Sequence, residues 1–481
     1  MPAFANKKIV PDPRLGYHYK IAHFLTIQES ELTMGNHHCG IGLAGAGVVG
    51  GGVADLLLGR REMLARRAGV DMELVAVADM DTKRATDLGV PPERVVNDFR
   101  KLMDKPEVEI VVELMGGVGI AYDCVMAALD AGKHVVTANK ALLAEKGQAI
   151  FAKAKEKNLM VAYEAAVAGG IPLLLALREG LIANRMQSLL GIVNGTCNYI
   201  LTEMTAKGLP FADCLKEAQK LGFAEADPSS DIDGKDSGHK LALLSALAFE
   251  TWIDFPALHI EGIRNISDVD IKITRSLGYT LKLLGVIRTD PEPLSADKGG
   301  KGEVGKPGRL FLSVHPGLLK NSNPLAAVAG SMNGVRTEGD AVMESMFYGR
   351  GAGRYPTASA VASDIAAVSR AIAYGGIGPR WYPPEANAYF MAPMDDYEAR
   401  YYIRCVVRDQ PGVMGKITTA LGENNVSIAA VHQFENDLSN GHASVCIFTH
   451  WAREGSVRKS LGDIEGMNFL EEKPTLIRIE E

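Results

Sequence analysis

The sequence predicts an α/β protein with three folded parts: a doubly wound domain, an α+β domain and a small C-terminal domain of ferredoxin-like topology. Apolar segments of strand length alternate with helical patterns over roughly the first 165 residues. Helical patterns dominate the middle of the chain, and its end follows the order strand, helix, strand, strand, helix, strand. A length of 481 residues suits about two to four domains of ordinary size.

The first domain is predicted from five short strands that are apolar throughout. They lie at Gly40–Ala44, Glu73–Ala78, Glu109–Leu114, His134–Thr137 and Leu159–Tyr163. Helical patterns lie between them, at Val53–Arg67 and Ala121–Ala131. Apolar strands that alternate with helices are typical of a parallel sheet covered on both faces. We therefore predict a doubly wound domain at residues 37–163.

The middle of the chain has a different pattern, in which helices outnumber strands. Helical patterns cover Pro172–Ile182, Asn198–Ala206, Phe211–Leu221 and Ser237–Glu250, and Arg309–Val314 alternates as a strand does. We assign residues 164–344 to an α+β domain that binds the substrate. A long helix at Ala358–Ala373 follows, and we expect a segment at about residues 345–375 to return to the first domain. Residues 298–308 are rich in Gly and Lys and predict a solvated loop.

The C-terminal part begins with a segment rich in Gly, Pro and Tyr, which predicts a linker at residues 376–398. Strands are then predicted at Tyr401–Val407, Val426–Gln433, His442–Thr449 and Thr475–Ile479, with helices at Val413–Asn424 and Ala452–Gly462. This βαββαβ order predicts a ferredoxin-like domain at residues 399–481.

Composition argues against several classes of protein. The net charge of −7 disfavours a nucleic-acid partner or an anionic membrane. The six cysteines are scattered without a C-x-x-C pair, so we expect no disulfide framework and a reducing cytoplasm. No stretch reaches the roughly 18 apolar residues of a membrane helix. Residues 1–36 are polar and lack an export signal, so we expect a loosely ordered tail and leave open a start at Met34.

A glycine-rich turn follows the first strand, at Gly45-Ala46-Gly47-Val48-Val49-Gly50. In a G-x-G-x-x-G turn between a strand and a helix, the first glycine permits the turn and the second lets the backbone approach a pyrophosphate. The third lets the helix pack on the sheet, and the free N–H groups of the helix face the phosphates. The sequence therefore predicts a Rossmann-type domain that binds NAD or NADP. The alternative is a glycine turn that serves helix–strand packing only.

The residues after the second strand bear on the choice of nucleotide. Asp79 ends that strand, where an acidic residue hydrogen-bonds the adenosine ribose of NAD. Lys83 and Arg84 follow closely and are suited to the 2′-phosphate of NADP. Asp79 lies further from the glycines than the usual spacing of about 20 residues, so a capping role at the strand end is the alternative. The sequence leaves NAD and NADP both open.

A dehydrogenase also needs a group that handles the proton on the carbinol oxygen. The chain has no Cys/His set for a catalytic zinc and no Tyr-x-x-x-Lys pair, which leaves a lysine, carboxylate or histidine acting directly. The segment Glu225–Lys240 is dense in such groups, and Asp236 and Lys240 are spaced to share one helix face. Its carboxylates are suited to the ammonium group of an amino acid. The alternative is a solvated acidic loop with a capping aspartate.

Several stretches together resemble the homoserine dehydrogenase family. They are Gly45–Gly50, Val135–Leu143, Glu164–Pro172, Asn194–Ile200, Glu225–Lys240, Gly349–Gly353 and Pro356–Ala360. The resemblance implies the reversible NAD(P)H-dependent reduction of L-aspartate 4-semialdehyde to L-homoserine, a step in threonine, methionine and isoleucine biosynthesis. It also implies a homodimer. Ala78 stands where many relatives carry an arginine, which weakens the expectation of NADP.

The resemblance implies roles for the residues around the substrate. Lys240 matches the family's proton donor, and Lys140 matches the second lysine on the nicotinamide side. Glu225, Asp231 and Asp236 match the carboxylates around the ammonium and hydroxyl groups of the substrate, and Asp236 also holds Lys240 or the substrate in place.

The resemblance further implies cofactor contacts and a cation site. Beside the glycine turn and residues 79, 83 and 84, the implied cofactor contacts are Asn139, Lys140, Gly222 and Gly351. A sodium site is implied at Glu164 and at the backbone carbonyl groups of Val167, Gly169 and Ile171. Oxygen ligands on a tight glycine loop suit a hard cation such as sodium.

The C-terminal domain resembles an ACT domain, a module that binds amino acids, often between paired copies. The stretches that carry this are Asp409–Val413, between a strand and a helix, and Asn425–Ile428, which opens the next strand. The resemblance implies a regulatory site at Asp409, Pro411, Gly412 and Asn425, and we expect L-threonine as a feedback effector. The alternative is a module for oligomerisation alone, and pairing of these modules would make a homotetramer.

Two other functions remain as alternatives. One is a phosphorylating semialdehyde dehydrogenase with Cys197 as nucleophile, although Asn194 and Asn198 beside it offer no activating base. The other is an amino-acid sensor without activity, which the presence of Lys140, Asp236 and Lys240 disfavours.

Overall fold

The computed structural model describes residues 37–290, 308–375, 382–384, 386–435 and 441–481. The predicted N-terminal tail lies outside these residues, as does the predicted Gly/Lys-rich loop except for its last residue. Among the helices of the described part, none is both long enough and apolar enough to cross a membrane.

The first domain is built on a parallel sheet. Its strands are β1 His38–Ala44, β2 Asp71–Ala78, β3 Val95–Val96, β4 Ile110–Glu113, β5 His134–Thr137 and β6 Val161–Ala162. Their order is β3-β2-β1-β4-β5-β6, which is the order of a doubly wound Rossmann domain. In such sheets ligands bind beyond the carboxyl ends of the strands, at the point between β1 and β4 where the order reverses.

The helices of this domain depart from the prediction at one place. They are α1 Val48–Gly59, α2 Arg61–Ala68, α3 Thr82–Asp87, α4 Arg100–Met103, α5 Gly119–Asp130 and α6 Lys140–Lys157. The single helix predicted at Val53–Arg67 is wrong, because the chain leaves helical geometry at Arg60 (φ −129°, ψ 19°). The start at Val48 was missed because glycines at 50, 51 and 52 give no periodic apolar signal.

The second domain contributes antiparallel strands and most of the helices. Its elements are α7 Leu173–Leu175, β7 Met186–Ile192, α8 Gly195–Lys207, α9 Phe211–Lys220, α10 Ser229–Ile232, α11 Lys235–Ala248, β8 His259–Ile260, α12 Asp268–Ser276, β9 Tyr279–Thr289, β10 Gly308–Lys320, β11 Met332–Gly339, β12 Met343–Arg350 and α13 Arg354–Tyr374. The helix predicted at Pro172–Ile182 is wrong in kind, since α7 is one short turn that continues as a π-helical turn at Ala176–Gly180.

Helix α13 packs against the first domain. Its residues Ala358, Val361 and Ile365 share one buried core with residues of β1, β2 and α1. Gly52 makes the close approach possible, because a Cβ there would lie 2.9 Å from the backbone oxygen of Arg354. The segment that follows the second domain therefore completes the covering of the Rossmann sheet.

The C-terminal domain has the predicted ferredoxin-like order. Its elements are β13 Tyr389–Met391, β14 Glu398–Arg408, α14 Val413–Glu423, β15 Ile428–Glu435, β16 His442–Thr449, β17 Ala452–Arg453, α15 Glu454–Glu465 and β18 Thr475–Glu480. The sheet order is β18-β14-β16-β15. Helices α14 and α15 pack over it around Ile417, Leu421 and Val457.

The second and third domains share one continuous sheet, which the sequence did not predict. Strand β18, near the end of the chain, pairs in parallel with β10, with Gly317 opposite Arg478 and Leu319 opposite Glu480. Strand β13, within the range predicted as a linker, also pairs with β10. A movement of the C-terminal domain therefore acts directly on the sheet of the substrate domain.

Candidate active site

A buried carboxylate between two lysines forms the centre of the candidate site. Asp236 lies in the first turn of α11, and Lys240 lies one turn later, with its Nζ 2.6 Å from Asp236 Oδ2. Lys140 begins α6 in the Rossmann domain, and its Nζ lies 3.2 Å from Asp236 Oδ1. The carboxylate thus joins lysines from two domains, close to the carboxyl end of β5.

Lys240 is held at two points. Besides Asp236, its ammonium group donates to the backbone oxygen of Val193, at 2.6 Å. A lysine ammonium has three N–H donors. One donor therefore remains for an oxygen atom of a bound substrate.

Asn194 organises the carboxylates and was not predicted as a site residue. Its Nδ2 donates to Asp231 Oδ1 at 2.7 Å and to Asp236 Oδ2 at 2.8 Å. Its Oδ1 accepts from the N–H of Cys197 and so caps α8. The signal in the sequence was an asparagine directly before a helical pattern, which is a common N-cap.

The electrostatics of the centre follow from these contacts. Burial alone would raise the pKa of the Asp236 carboxyl, but the charges of Lys240 and Lys140 outweigh it and hold that pKa far below its ordinary range. Burial and the neighbouring Asp236 charge raise the pKa of Asp231. Asp236 is therefore a fixed negative charge at neutral pH, which keeps two cationic groups together.

The other residues of the predicted acidic segment lie further out. Asp231 is half-buried beside Asn194, whereas Glu225 is exposed. Within the described residues, the Glu225 carboxylate has no hydrogen bond or ion pair. Asp233 pairs with Arg264 on the surface. The structure thus brings Asp231, Asp236 and both lysines together and leaves Glu225 at the rim.

The glycine turn has the geometry that a dinucleotide requires. Gly45 has φ +100°, and a Cβ on Gly50 would lie 1.9 Å from the backbone oxygen of Gly45. Nothing lies within 4 Å of a Cβ placed on Gly47, which caps α1 without a side-chain hydrogen bond. The open surface at Gly47 and the uncapped N–H groups of α1 fit a pyrophosphate.

Asp79 supports the glycine turn. Its carboxylate accepts from the N–H of Ala46 at 2.7 Å and from the N–H of Asp81 at 2.9 Å. Arg84 lies 3.8 Å from the same carboxylate, whereas Lys83 pairs with Asp87. Asp79 therefore fixes the backbone of the turn, and Arg84 is the better placed of the two basic residues to approach a nucleotide.

We expect Asp79→Ala to raise KM for NADH and NADPH by similar factors. Loss of a charge-assisted hydrogen bond to the turn costs about 1–2 kcal/mol, which corresponds to a factor of roughly 5 to 30. Steady-state kinetics with each cofactor measures this, and Asp130→Ala, at an exposed carboxylate that pairs with Lys153 at the end of α5, is the control. A selective gain in the use of NADPH would instead show that Asp79 reads the ribose.

Three further residues were predicted to contact the cofactor: Asn139, Gly222 and Gly351. Asn139 caps α6, and its Nδ2 donates to the backbone oxygen of Gly117 at 2.6 Å. A Cβ on Gly351 would lie 2.2 Å from the side chain of Asn333. Gly222 has φ +76° and open space around it. Asn139 directly precedes Lys140, and the cofactor roles of Gly222 and Gly351 stay predictions.

The predicted cation site surrounds a buried acidic pair. Both oxygens of Glu164 accept backbone N–H groups, from Leu174 at 2.9 Å and Leu175 at 2.7 Å. The N–H of Glu164 donates to Asp364 at 2.8 Å. Burial raises the pKa of Glu164, and burial with the charge of Glu164 raises the pKa of Asp364 to about 8. A cation would relieve this concentration of buried carboxylates.

The loop after Glu164 has carbonyl groups suited to such a cation. Ala168 and Gly169 both have positive φ, at 55° and 46°. Among the described residues, the carbonyl groups of Val167 and Gly169 accept no backbone hydrogen bond, whereas that of Ile171 accepts from Leu173 at 2.7 Å. Two of the three predicted carbonyl ligands are therefore unpaired.

Cys197 lacks the environment of a nucleophile. Its thiol is buried and donates to the backbone oxygen of Asp231 at 3.2 Å. Burial raises the pKa of the Cys197 thiol well above its ordinary value, so the reactive thiolate is disfavoured.

Cys197→Ser is therefore expected to keep kcat within about threefold of the wild-type value, because the smaller hydroxyl still donates to the Asp231 carbonyl. Steady-state turnover with the wild-type chain as reference checks this. Abolished turnover in a normally folded variant, shown by an unchanged circular dichroism spectrum, would restore the thiol mechanism.

Comparison with known proteins agrees with this arrangement. Residues 45–164 match the family model described as homoserine dehydrogenase, NAD binding domain; residues 172–366 match homoserine dehydrogenase; and residues 401–450 match the ACT domain. A homoserine dehydrogenase of Neisseria gonorrhoeae is 44% identical over 92% of this chain and 98% of its own length. One of Bacillus subtilis is 38% identical over the same shares.

A solved structure gives the same result. The crystal structure of a homoserine dehydrogenase from Thiobacillus denitrificans is 40% identical, covers 92% of this chain and 98% of its own, and superposes with a TM-score of 0.83. That of S. aureus homoserine dehydrogenase is 28% identical with a TM-score of 0.70.

Proposed function

The chain belongs to the homoserine dehydrogenase family, and on that premise we propose that it interconverts L-aspartate 4-semialdehyde and L-homoserine at the centre formed by Lys140, Asp236 and Lys240. The observation that carries this proposal is the Asp236 carboxylate held between two lysines. This centre lies where the Rossmann domain meets the substrate domain, so a substrate and a nicotinamide ring have access to the same cleft.

The proposed proton donor is Lys240. A bound nicotinamide would supply the hydride in reduction and accept it in oxidation. During reduction, negative charge develops on the carbonyl oxygen of the substrate. Asp236 and the Val193 carbonyl fix two donors of Lys240, so the third donates to that oxygen and transfers the proton. Lys140 adds a second positive charge beside the same carboxylate. Preorganised cations next to a developing oxyanion lower the barrier without reorganisation.

Asp231, beside the centre, and Glu225, at its rim, are proposed to bind the ammonium group of the substrate. Asp231 has one oxygen held by Asn194, and the Glu225 carboxylate faces solvent. Both lie on the same segment as Lys240. Carboxylates suited to an ammonium group, on the same segment as a lysine suited to a reacting oxygen, fit an amino acid whose reacting oxygen lies on its side chain.

The experiment that tests this function is oxidation of L-homoserine, followed through the absorbance of the reduced nicotinamide with NAD and with NADP in separate assays. Turnover is expected with at least one cofactor. The absence of homoserine-dependent reduction with both cofactors, in protein with a normal thermal transition, would contradict the proposal. The ratio of the two kcat/KM values decides between NAD and NADP.

The residues proposed to hold the nucleotide are those of the glycine turn together with Asn139. The uncapped start of α1 receives the pyrophosphate. The hydrogen bond from Asn139 to Gly117 fixes the loop between β4 and α5. Arg84 is proposed to contact a 2′-phosphate if NADP is the cofactor. The fit of the open surface at Gly47 supports this assignment.

A sodium ion is proposed at Glu164 and the carbonyl groups of Val167, Gly169 and Ile171. The buried acidic pair and the two unpaired carbonyls support it. Replacing sodium by a large organic cation at constant ionic strength is then expected to lower the midpoint of thermal unfolding. An unchanged midpoint would contradict the site.

Feedback by L-threonine through the ACT domain is also proposed. The predicted turn has Gly412 at φ +90° before α14 and Asn425 at φ +60° before β15. A cavity of about 340 Å³ beside it is lined by residues that include Gly412, Lys416 and Asp463. Inhibition of the full chain by L-threonine tests this. Deletion of the domain is unsuitable, because β18 pairs with β10.

A homodimer is proposed through the edge strand β12. Its pattern leaves Met346 and Tyr348 exposed on one face, Met343 is exposed where the strand begins, and β12 ends the sheet order within the described part of the chain. An edge with unpaired backbone groups and apolar side chains is suited to pairing with a second copy. The molar mass in solution tests this, and pairing of ACT domains would raise it to that of a tetramer.

A cytoplasmic location is proposed from the cysteines. All six are free and buried in the structure, and proteins of oxidising compartments more often carry disulfides. Fractionation of cells that express the full chain tests the location, and recovery outside the cytoplasm would contradict it.

A further inference from the structure

A cleft of about 710 Å³ lies between the sheet of the substrate domain and the ACT domain. One wall is formed by the ends of β7, β9 and β11, and the other includes Tyr397, Trp451 and Arg453. Of the described residues that line it, none belongs to the lysine–aspartate centre or the glycine turn. Its volume is that of a small-molecule site, and domain junctions are favoured places for such sites.

The charges in the cleft suit a ligand that carries both signs. Four arginines and six acidic residues line it. Arg309 pairs with Asp290 and Asp396, and Arg453 pairs with Glu398.

The charges that remain unpaired lie on one side of the cleft. Among the described residues, no ion pair is found for the side chains of Arg185, Glu338 or Asp340. Glu338 accepts only the hydroxyl of Ser188, and Asp340 accepts the backbone N–H of Arg185. One guanidinium and two carboxylates are thus available to a ligand.

Arg288 is a cation of the cleft that the protein holds in place and that keeps free donors. Its side chain is 26% exposed and lies over the ring of Tyr397. One amino group pairs with the fully buried Glu480 at 3.2 Å. A guanidinium has five N–H donors, and the described residues accept only this one hydrogen bond from it. Arg288 is therefore held in place and retains donors for a carboxylate.

Glu480, the partner of Arg288, is connected through neighbouring residues to the catalytic segment, Asp231–Lys240. Glu480 also accepts from Tyr397, at 2.9 Å, and lies 3.0 Å from His315 Nε2 on β10. Beside His315, Val314 pairs with Ile260 of β8, and a Cβ on Gly234 would touch both side chains. Gly234 directly precedes α11, the helix of Asp236 and Lys240.

A second connection runs from the same strand. Arg478 of β18, which is 1% exposed, binds Glu261 at 3.0 Å. Two residues later, the N–H of Ile263 donates to the backbone oxygen of Ile232 at 2.8 Å. Ile232 lies beside Asp231. Strand β18 is therefore linked to the catalytic segment through hydrogen bonds and packing on both sides of β8.

We propose that this cleft binds a free α-amino acid, whose carboxylate pairs with Arg288 and Arg185 and whose ammonium group faces Glu338 and Asp340. The bound carboxylate competes with Glu480 for Arg288, which alters the buried contacts of Glu480 and so the segment before α11. The site lies apart from the Gly412 turn. The proposal rests on the proposed feedback regulation and adds to the Gly412 turn a second place, at the junction with the substrate domain, where an amino acid binds.

The test is isothermal titration calorimetry of the full chain with L-threonine first and then the other proteinogenic amino acids. Two analogues of the effector serve as control ligands: one lacks the carboxylate, and the other lacks the amino group. The variants are Arg288→Lys, which keeps the charge beside Glu480, and the exposed Arg185→Gln. Lys220→Gln, at an exposed position of α9 that lines neither cavity, is the matched control. Thermal unfolding verifies that each variant folds.

The expected result is that Kd rises at least about tenfold in both arginine variants and stays near the wild-type value in Lys220→Gln. Inhibition should be noncompetitive with L-homoserine. If the wild-type chain binds an effector and the arginine variants bind it equally well, the cleft is overturned and feedback regulation stands. If the wild-type chain binds no amino acid other than its substrate, both are overturned.

Discussion

Lys240→Ala is expected to lower kcat by about two to four orders of magnitude, with little change in the affinity for the cofactor. Loss of a positioned acid costs roughly this factor, which corresponds to about 3–5 kcal/mol of barrier. The reason is that Lys240 lies buried beside Asp236, has two fixed contacts and keeps one donor for the substrate. Steady-state turnover of L-homoserine and a separate titration of the cofactor measure the two quantities.

Lys235→Ala is the matched control for this variant. Lys235 begins the same helix but is exposed, so its loss removes a lysine without touching the centre, and kcat should be nearly unchanged. Near-normal turnover in the Lys240 variant would contradict its assignment as proton donor. An equal loss in both variants would indicate a general effect on the helix.

Asp236→Asn is expected to lower stability by about 3–5 kcal/mol and to lower kcat strongly. Removing one partner of a buried ion pair leaves the other charge uncompensated, and Lys240 is 8% exposed. The asparagine still offers an oxygen, so the geometry is kept while the charge is lost. Denaturant unfolding measures the stability, and the Asp233→Asn variant is the control, because its pair with Arg264 is largely solvated.

The difference in unfolding free energy between the wild type and Asp236→Asn should depend on pH with a defined sign. The pKa of Asp236 is lowered in the folded chain, so its contribution is fully present above the unfolded-state value of about 3.9. It declines as the pH falls from there toward the lower folded-state pKa. The gap in unfolding free energy between wild type and Asp236→Asn should therefore be constant near neutrality and narrow in acid. A gap that widens in acid would contradict the assigned charge state.

Local patterns predicted most of the fold. The glycine turn, the strands of the Rossmann sheet and the βαββαβ order of the ACT domain each depend on short periodic segments and turn residues. The pairing of β18 with β10 joins residues far apart in sequence, and no local pattern signals it. The break at Arg60 was missed for a similar reason, because the periodicity continues through it.

The sequence also predicted part of the candidate site. The four-residue spacing placed Asp236 and Lys240 on one face, and the structure has them in contact. Lys140 joins them only through the packing of α6 against α11, which spacing does not show. Asn194 was missed because its signal was that of a helix cap. The Nδ2 atom of Asn194 reaches the carboxylates of Asp231 and Asp236 only when β7 and α11 pack together in the folded chain.

The central claim is that Lys240, fixed by Asp236 and Val193, protonates the substrate oxygen as hydride is transferred. A single-turnover measurement tests it most directly, with L-aspartate 4-semialdehyde mixed with enzyme that holds the reduced cofactor. The loss of reduced-nicotinamide absorbance should have the same amplitude in the wild type and in Lys240→Ala. Its rate should be at least about 100-fold lower in the variant. An unchanged rate of that phase would contradict the claim.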